Sequence, residues 1–200
     1  HYEKALEYAP NNPQYQFDAR ITEPWITELP DGWFSLVDIR EYRRLVEQVP
    51  DGGVIVELGC WKGRSICSLA EIIKRKNLSV VLVDTFQGTP GEEYAHGEAK
   101  NKNIQQELRE NLERFGIVDR CRIMVMATKI AADELKSEMF DLVFIDANHS
   151  YEAVSQDIGD WQPKVQDGGI LAGHDYLWPG PKRAVDELIG SPAVANNIWS

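Results

Sequence analysis

The chain has 200 residues, a hydrophobic fraction of 43% and a formal net charge of −11, enough apolar material for one domain with a sizeable core. The acidic balance excludes the basic footprint of a nucleic-acid binder and disfavours an anionic membrane surface, so a small or neutral substrate suits it better. Cys60, Cys67 and Cys121 are odd in number and not spaced as C-x-x-C. With no signal-peptide pattern and no apolar run near the ~20 residues of a membrane span, free thiols in a reducing, cytoplasmic compartment are expected.

Residues 1–35 read as an irregular N-terminal arm, rich in Pro, Asn and aromatics, that packs on the domain or on a second copy of it. The arm favours a homodimer. The remaining residues, 36–200, read as one domain. Leu36, Ile39, Leu45, Val46 and Val49 have near-helical spacing, and Pro50-Asp51-Gly52-Gly53 stops that helix. Val54 to Val56 are β-branched and apolar, a short buried strand, with Glu57 at its C-terminal end. Gly59 and Gly63 open a tight loop. Ile66, Leu69, Ala70 and Ile73 then mark the apolar face of a helix over 64–76.

Leu78 to Asp84 is the second strand. Residues 85–99, beginning at Thr85, hold three glycines, a proline and adjacent acids, and read as a long loop suited to substrate binding or a lid. Ile104, Leu108, Leu112 and Phe115 give a helix over 101–115, stopped by Gly116. Strands follow over 121–126, 140–146 and 169–172. Helices follow over 131–136, 151–161 and 182–189, and Ala193 to Trp199 begins terminal antiparallel strands. Such alternation makes the fold α/β, a doubly wound and mostly parallel sheet with helices on both faces. Ligands of such sheets lie beyond the strands' C-terminal ends.

The loop E-L-G-C-W-K-G-R-S (Glu57–Ser65) lacks the G-x-G-x-x-G spacing of a dinucleotide fingerprint, and Trp61 and Lys62 would crowd a pyrophosphate. An NAD(P)-dependent oxidoreductase is therefore the weaker alternative. Asp84 closes the second strand about 20 residues after Gly63, where a ribose-binding carboxylate is expected. With V-L-V-D-T-F, the loop resembles the first two motifs of class I S-adenosylmethionine (SAM)-dependent methyltransferases. The segments D-L-V-F-I-D-A-N-H-S-Y and G-G-I-L-A-G-H-D-Y resemble the small-molecule O-methyltransferases of that class, the macrocin-type enzymes above all and the catechol type more distantly. The resemblance implies a Rossmann-like methyltransferase fold. It implies a SAM site formed by Glu57, Gly59, Trp61, Gly63, Ser65, Asp84, Thr85, Thr128 and Asp146, with Asp84 on the ribose hydroxyls. Thr128 lies where the family has a polar residue near the adenine, and would serve equally as the N-cap of the short helix after it.

Two strand ends carry the chemistry: Asp146-Ala147-Asn148-His149 and His174-Asp175-Tyr176. Carboxylates crowded at one mouth repel unless a cation or proton lies between them, and oxygen-rich sites suit Mg²⁺. By the resemblance the metal positions are Asp146, His174 and Asp175. Imidazole at His174 is a poor Mg²⁺ ligand. Either Asp146, Asp175 and waters hold Mg²⁺, or there is no metal, or His174 favours a transition ion. His149, three residues after Asp146, is the candidate general base, since its ordinary pKa suits proton removal near neutrality. An N-cap or loop histidine is the plain alternative for it, and a structural hydrogen bond the plain alternative for His174. The expected activity is SAM-dependent methylation of a hydroxyl on a small molecule, with Asp146 and His149 catalytic. A SAM-binding module without turnover is the other alternative.

Overall fold

The computed structural model describes residues 28–89 and 93–200. Most of the N-terminal arm, and with it the surface on which a dimer was expected, therefore lies outside the described residues. Helix α1 (Leu36–Gln48) opens with a capping box in which Ser35 and Asp38 satisfy each other's backbone groups. Strand β1 (Val54–Leu58) leads to two short helices, α2 (Arg64–Cys67) and α3 (Ala70–Arg75), where the sequence predicts one. β2 (Ser79–Asp84) follows. The expected loop over 85–99 is only partly loop: α4 (Glu93–Asn101) occupies its second half, and Asn103 caps a separate helix α5 (Ile104–Arg114). Then come β3 (Cys121–Val125), α6 (Thr128–Glu134), β4 (Phe140–Ile145), α7 (Tyr151–Trp161), β5 (Val165–Gly173) and α8 (Pro179–Leu188). The short strands β6 (Val194–Ala195) and β7 (Ile198–Trp199) end the chain.

The sheet order is β3-β2-β1-β4-β5-β7-β6. β1 to β5 pair in parallel, and β7 joins β5 antiparallel. Alternation within the strands sends side chains to two cores. Ile55, Leu82, Leu142 and Phe144 face α1, α3 and α5. Val56, Val83, Val143 and Ile145 face α6, α7 and α8. This is the expected doubly wound, mostly parallel fold, and its strand order reverses between β1 and β4, where such folds bind ligands. Among the described residues no helix is long and apolar enough to cross a membrane.

Candidate active site

A cleft of about 740 Å³ lies over the C-terminal ends of the strands, within the size range of small-molecule sites. At its centre the backbones after β1 and β4 touch. Gly59 has φ +84°, and a Cβ built there would stand 2.1 Å from the Asp146 carbonyl oxygen and 2.6 Å from Ala147 Cα. No side chain fits. Asp84, at the end of β2, ties the neighbouring loops together: its Oδ2 accepts from the Trp61 N–H and its Oδ1 from the Phe86 N–H, both at 2.7 Å. Burial holds its pKa above the ordinary carboxylate value. A carboxylate has further lone pairs for a ribose hydroxyl.

Gly59, Trp61, Ser65, Asp84, Thr85, Thr128 and Asp146 all line the cleft. Glu57 and Gly63 do not, contrary to the expectation for them. Glu57 is wholly buried, accepting from the Tyr42 hydroxyl at 3.0 Å and the Ser65 hydroxyl at 2.6 Å. It shapes the loop from beneath. Gly63 caps α2 and packs toward Leu108. Thr128 is the first residue of α6, not its cap, and its hydroxyl donates to Asp157 Oδ1 at 2.6 Å. Asp157 also lines the cleft, and burial pushes its pKa up to about 6. An acid on the otherwise apolar stripe Val154, Ile158, Trp161 was a signal the sequence offered.

Burial raises the Glu57 carboxyl to about 8, opposed by its hydrogen bonds from Ser65 and Tyr42. Between the unfolded value of ~4.3 and about 8 the native state therefore holds a proton that the unfolded chain has lost. Stability falls as pH rises through that window. The thermal midpoint of the wild type is expected to fall relative to that of Glu57→Gln between about pH 5 and 8; parallel pH curves for the two proteins would overturn this.

The strand ends of β4 and β5 form one constellation. His149 Nε2 lies 2.8 Å from Asp175 Oδ2. His174 is buried, with Nδ1 at 3.4 Å from Asp146 and 3.3 Å from Asp175, and Nε2 at 3.3 Å from Asp38. Burial alone would lower its pKa, but these carboxylates hold it well above the ordinary histidine value. Its Nε2 also lies 3.4 Å from the Asn197 side-chain amide nitrogen, and the surrounding carboxylates favour the protonated ring. Burial raises Asp146 to about 6 against the pull of His174. Burial would raise Asp175 too, but hydrogen bonds from His149 and His174 hold it well below the usual range.

The nitrogens of His174, an expected metal position, lie against Asp38, Asp146, Asp175 and Asn197. The group whose ligand atoms lie within 4.8 Å of one another is Asp146, His149 and Asp175. Asp38 was not foreseen at all. Its carboxylate reaches the cleft from α1, hydrogen-bonded to the Ser35 N–H and hydroxyl, while Oδ1 is buried without a hydrogen-bond partner among the described residues. Trp61 and Asp175 hold left-handed backbone, φ +44° and +59°, conformations that cost energy and gather at functional sites.

The sequence model of a family described as a methyltransferase domain matches residues 56–176, the stretch from β1 to just beyond β5. The chain belongs to the methyltransferase family. Solved structures share its fold. Calicheamicin methyltransferase CalS11 superposes with a TM-score of 0.67 at 18% identity, covering 99% of this chain and 89% of the other. The O-methyltransferase from Bacillus cereus, solved with S-adenosylhomocysteine (SAH), gives 0.59 at 16% identity, over 98% and 93%. Cofactor-bound Rv0187 from MTB gives 0.61 at 20%, over 94% of each chain. SAM is the methyl donor of this class, and the residues fit it. The Asp84 carboxylate lines the cleft together with Met126, Ala127 and Ala147, beside Thr128 and Asp157. In this methyltransferase the loop Gly59–Lys62 is pinned by Lys62, whose ammonium is buried against Glu98 at 2.6 Å and Glu107 at 3.3 Å.

Proposed function

We propose that this methyltransferase methylates a hydroxyl of a small molecule, with His149 as the general base. The observation that supports this reading is the His149–Asp175 pair at the cleft mouth. Asp175 accepts a hydrogen bond from the His149 ring, and a base oriented by a carboxylate is the arrangement proton removal needs. When bound, SAM supplies a sulfonium-activated methyl group. The protein's part is to align the acceptor oxygen with it, to take the hydroxyl proton on His149, and to hold Asp146 and Asp175 charged around the His174 cation.

A second reading is favoured by the convergence of Asp146, His149 and Asp175. These residues would hold a divalent cation, which lowers the pKa of a bound hydroxyl. One nitrogen and two oxygens suit a transition ion better than Mg²⁺. The net charge of −11 supports a small-molecule acceptor over nucleic acid. All three cysteines are free, two of them buried, as suits the cytoplasm. A homodimer through the aromatic arm belongs to the same proposal.

Calorimetric titration of SAM into chelator-treated protein, with Mg²⁺, with Mn²⁺ and with neither, tests the reading. Micromolar SAM binding is expected, weakened about tenfold or more in Asp84→Ala as a charge-assisted hydrogen bond is lost. A cation at the triad would register as its own heat, absent from Asp146→Asn. If SAM fails to bind under every condition, the donor assignment is wrong.

A further inference from the structure

We infer that the acceptor is an uncharged or cationic molecule with a flat apolar ring, and that acceptors carrying phosphate or carboxylate are turned away. This rests on the methyl-transfer reading of the cleft, and two independent features carry it.

The first is charge. Asp31, Asp38, Asp84, Asp146, Asp157 and Asp175 all line the cleft. The cations lining it, Lys62, Arg64 and the two histidines, are fewer than the acids. Lys62 is buried between Glu98 and Glu107. Arg64 donates to the Phe34 and Pro30 carbonyls at 2.8 and 2.9 Å. His174 sits among three carboxylates, and His149 pairs with Asp175. With Arg64 and His174 set against these acids, the described lining is still net negative, and the sulfonium and ammonium of SAM, set against its own carboxylate, add one net positive charge. A cleft lined by one sign of charge concentrates its field and repels ligands of the same sign.

The second is the rim. Trp33, Leu177 and Trp178 line the cleft yet are 61%, 69% and 49% exposed. Large apolar side chains held open to water at the mouth of a site mark where a ligand packs. The Trp178 ring lies 5.0 Å from His149, beside the proposed base, and Trp33 lies 6.2 Å from Trp61 on the glycine loop. An indole face receives a flat ring by stacking and attracts a cation through its quadrupole. It offers an anion nothing. Charge excludes one ligand class, and the tryptophans select within the other.

The test is calorimetry on full-length protein saturated with SAH, using three phenols of one skeleton: tyramine (cationic), tyrosol (neutral) and 4-hydroxyphenylacetate (anionic), together with TDP-glucose. Tyramine and tyrosol are expected to bind about tenfold or more tightly than 4-hydroxyphenylacetate, and TDP-glucose most weakly. Trp178→Ala is expected to weaken tyrosol binding about tenfold with SAH affinity unchanged. Leu177→Lys, at an exposed rim position, is expected to narrow the gap between tyrosol and the anion. Equal or tighter binding of 4-hydroxyphenylacetate or TDP-glucose overturns the inference. So does the absence of measurable binding by both tyramine and tyrosol. If SAH itself does not bind, it is the methyl-transfer reading that falls.

Discussion

Replacing His149 by alanine is expected to lower kcat for methyl transfer about 10²- to 10⁴-fold, the usual worth of a positioned general base, while leaving the dissociation constant for SAM within about twofold. The split follows from the geometry. His149 lies at the acceptor side of the cleft, hydrogen-bonded to Asp175 and beside Trp178, whereas the expected donor contacts come from Gly59, Asp84 and the residues around Thr128. Stopped-flow or single-turnover kinetics with saturating SAM separates the two. Because the imidazole is partly open to solvent, added free imidazole is expected to restore part of the variant's rate, which a merely structural histidine would not permit. A variant with kcat within about threefold of wild type would remove the base assignment. A variant that has also lost SAM binding would show that His149 supports the cleft rather than the proton transfer.

Gly59→Ala is expected to destabilise the protein by about 3 kcal/mol or more, the sum of left-handed strain and forced overpacking. For a chain of this length that lowers the thermal midpoint by roughly 6–12 °C. The atoms a methyl group would meet are the Asp146 carbonyl oxygen and Ala147 Cα, at 2.1 and 2.6 Å. Both are backbone, so relief requires parting β1 from β4 at the point where Asp146 N–H donates to Leu58 O at 2.8 Å. The loss therefore falls on the cleft as well as on the fold, and SAM affinity is expected to drop in whatever protein still folds. Gly52→Ala is the control. Gly52 has a similar φ of +78° but nothing within 4 Å of a built Cβ, so only the strain applies, about 1 kcal/mol. Equal midpoints for the two variants would show that the contact with β4 is not what constrains Gly59.

The strands, their order of appearance and the carboxylates that end them were legible in the sequence, because side-chain alternation and apolar runs are local properties of the chain. Asp84, Asp146 and Asp175 stand where the reading put them, at strand ends, since an acid after several apolar strand residues must leave the core or find a partner. The roles of the neighbouring groups were not legible. Glu57 follows the same kind of apolar run, yet it turns under the loop to Tyr42 and Ser65, an arrangement that depends on α1 packing across β1. Ser35 and Asp38 form the capping box of α1. Only the docking of α1 against the end of β5 delivers that carboxylate to His174. The surroundings of the two histidines were hidden for the same reason. Each follows a strand by a few residues, and spacing alone gives them equal claims on a metal or a proton. In the folded protein three carboxylates close around His174 and raise its pKa, while His149 pairs with Asp175 at the cleft. The sequence by itself determined the doubly wound sheet and the edge where chemistry collects. The tertiary structure decided which side chains share that edge, because a pKa and a hydrogen-bond partner depend on charges and surfaces brought together from distant parts of the chain.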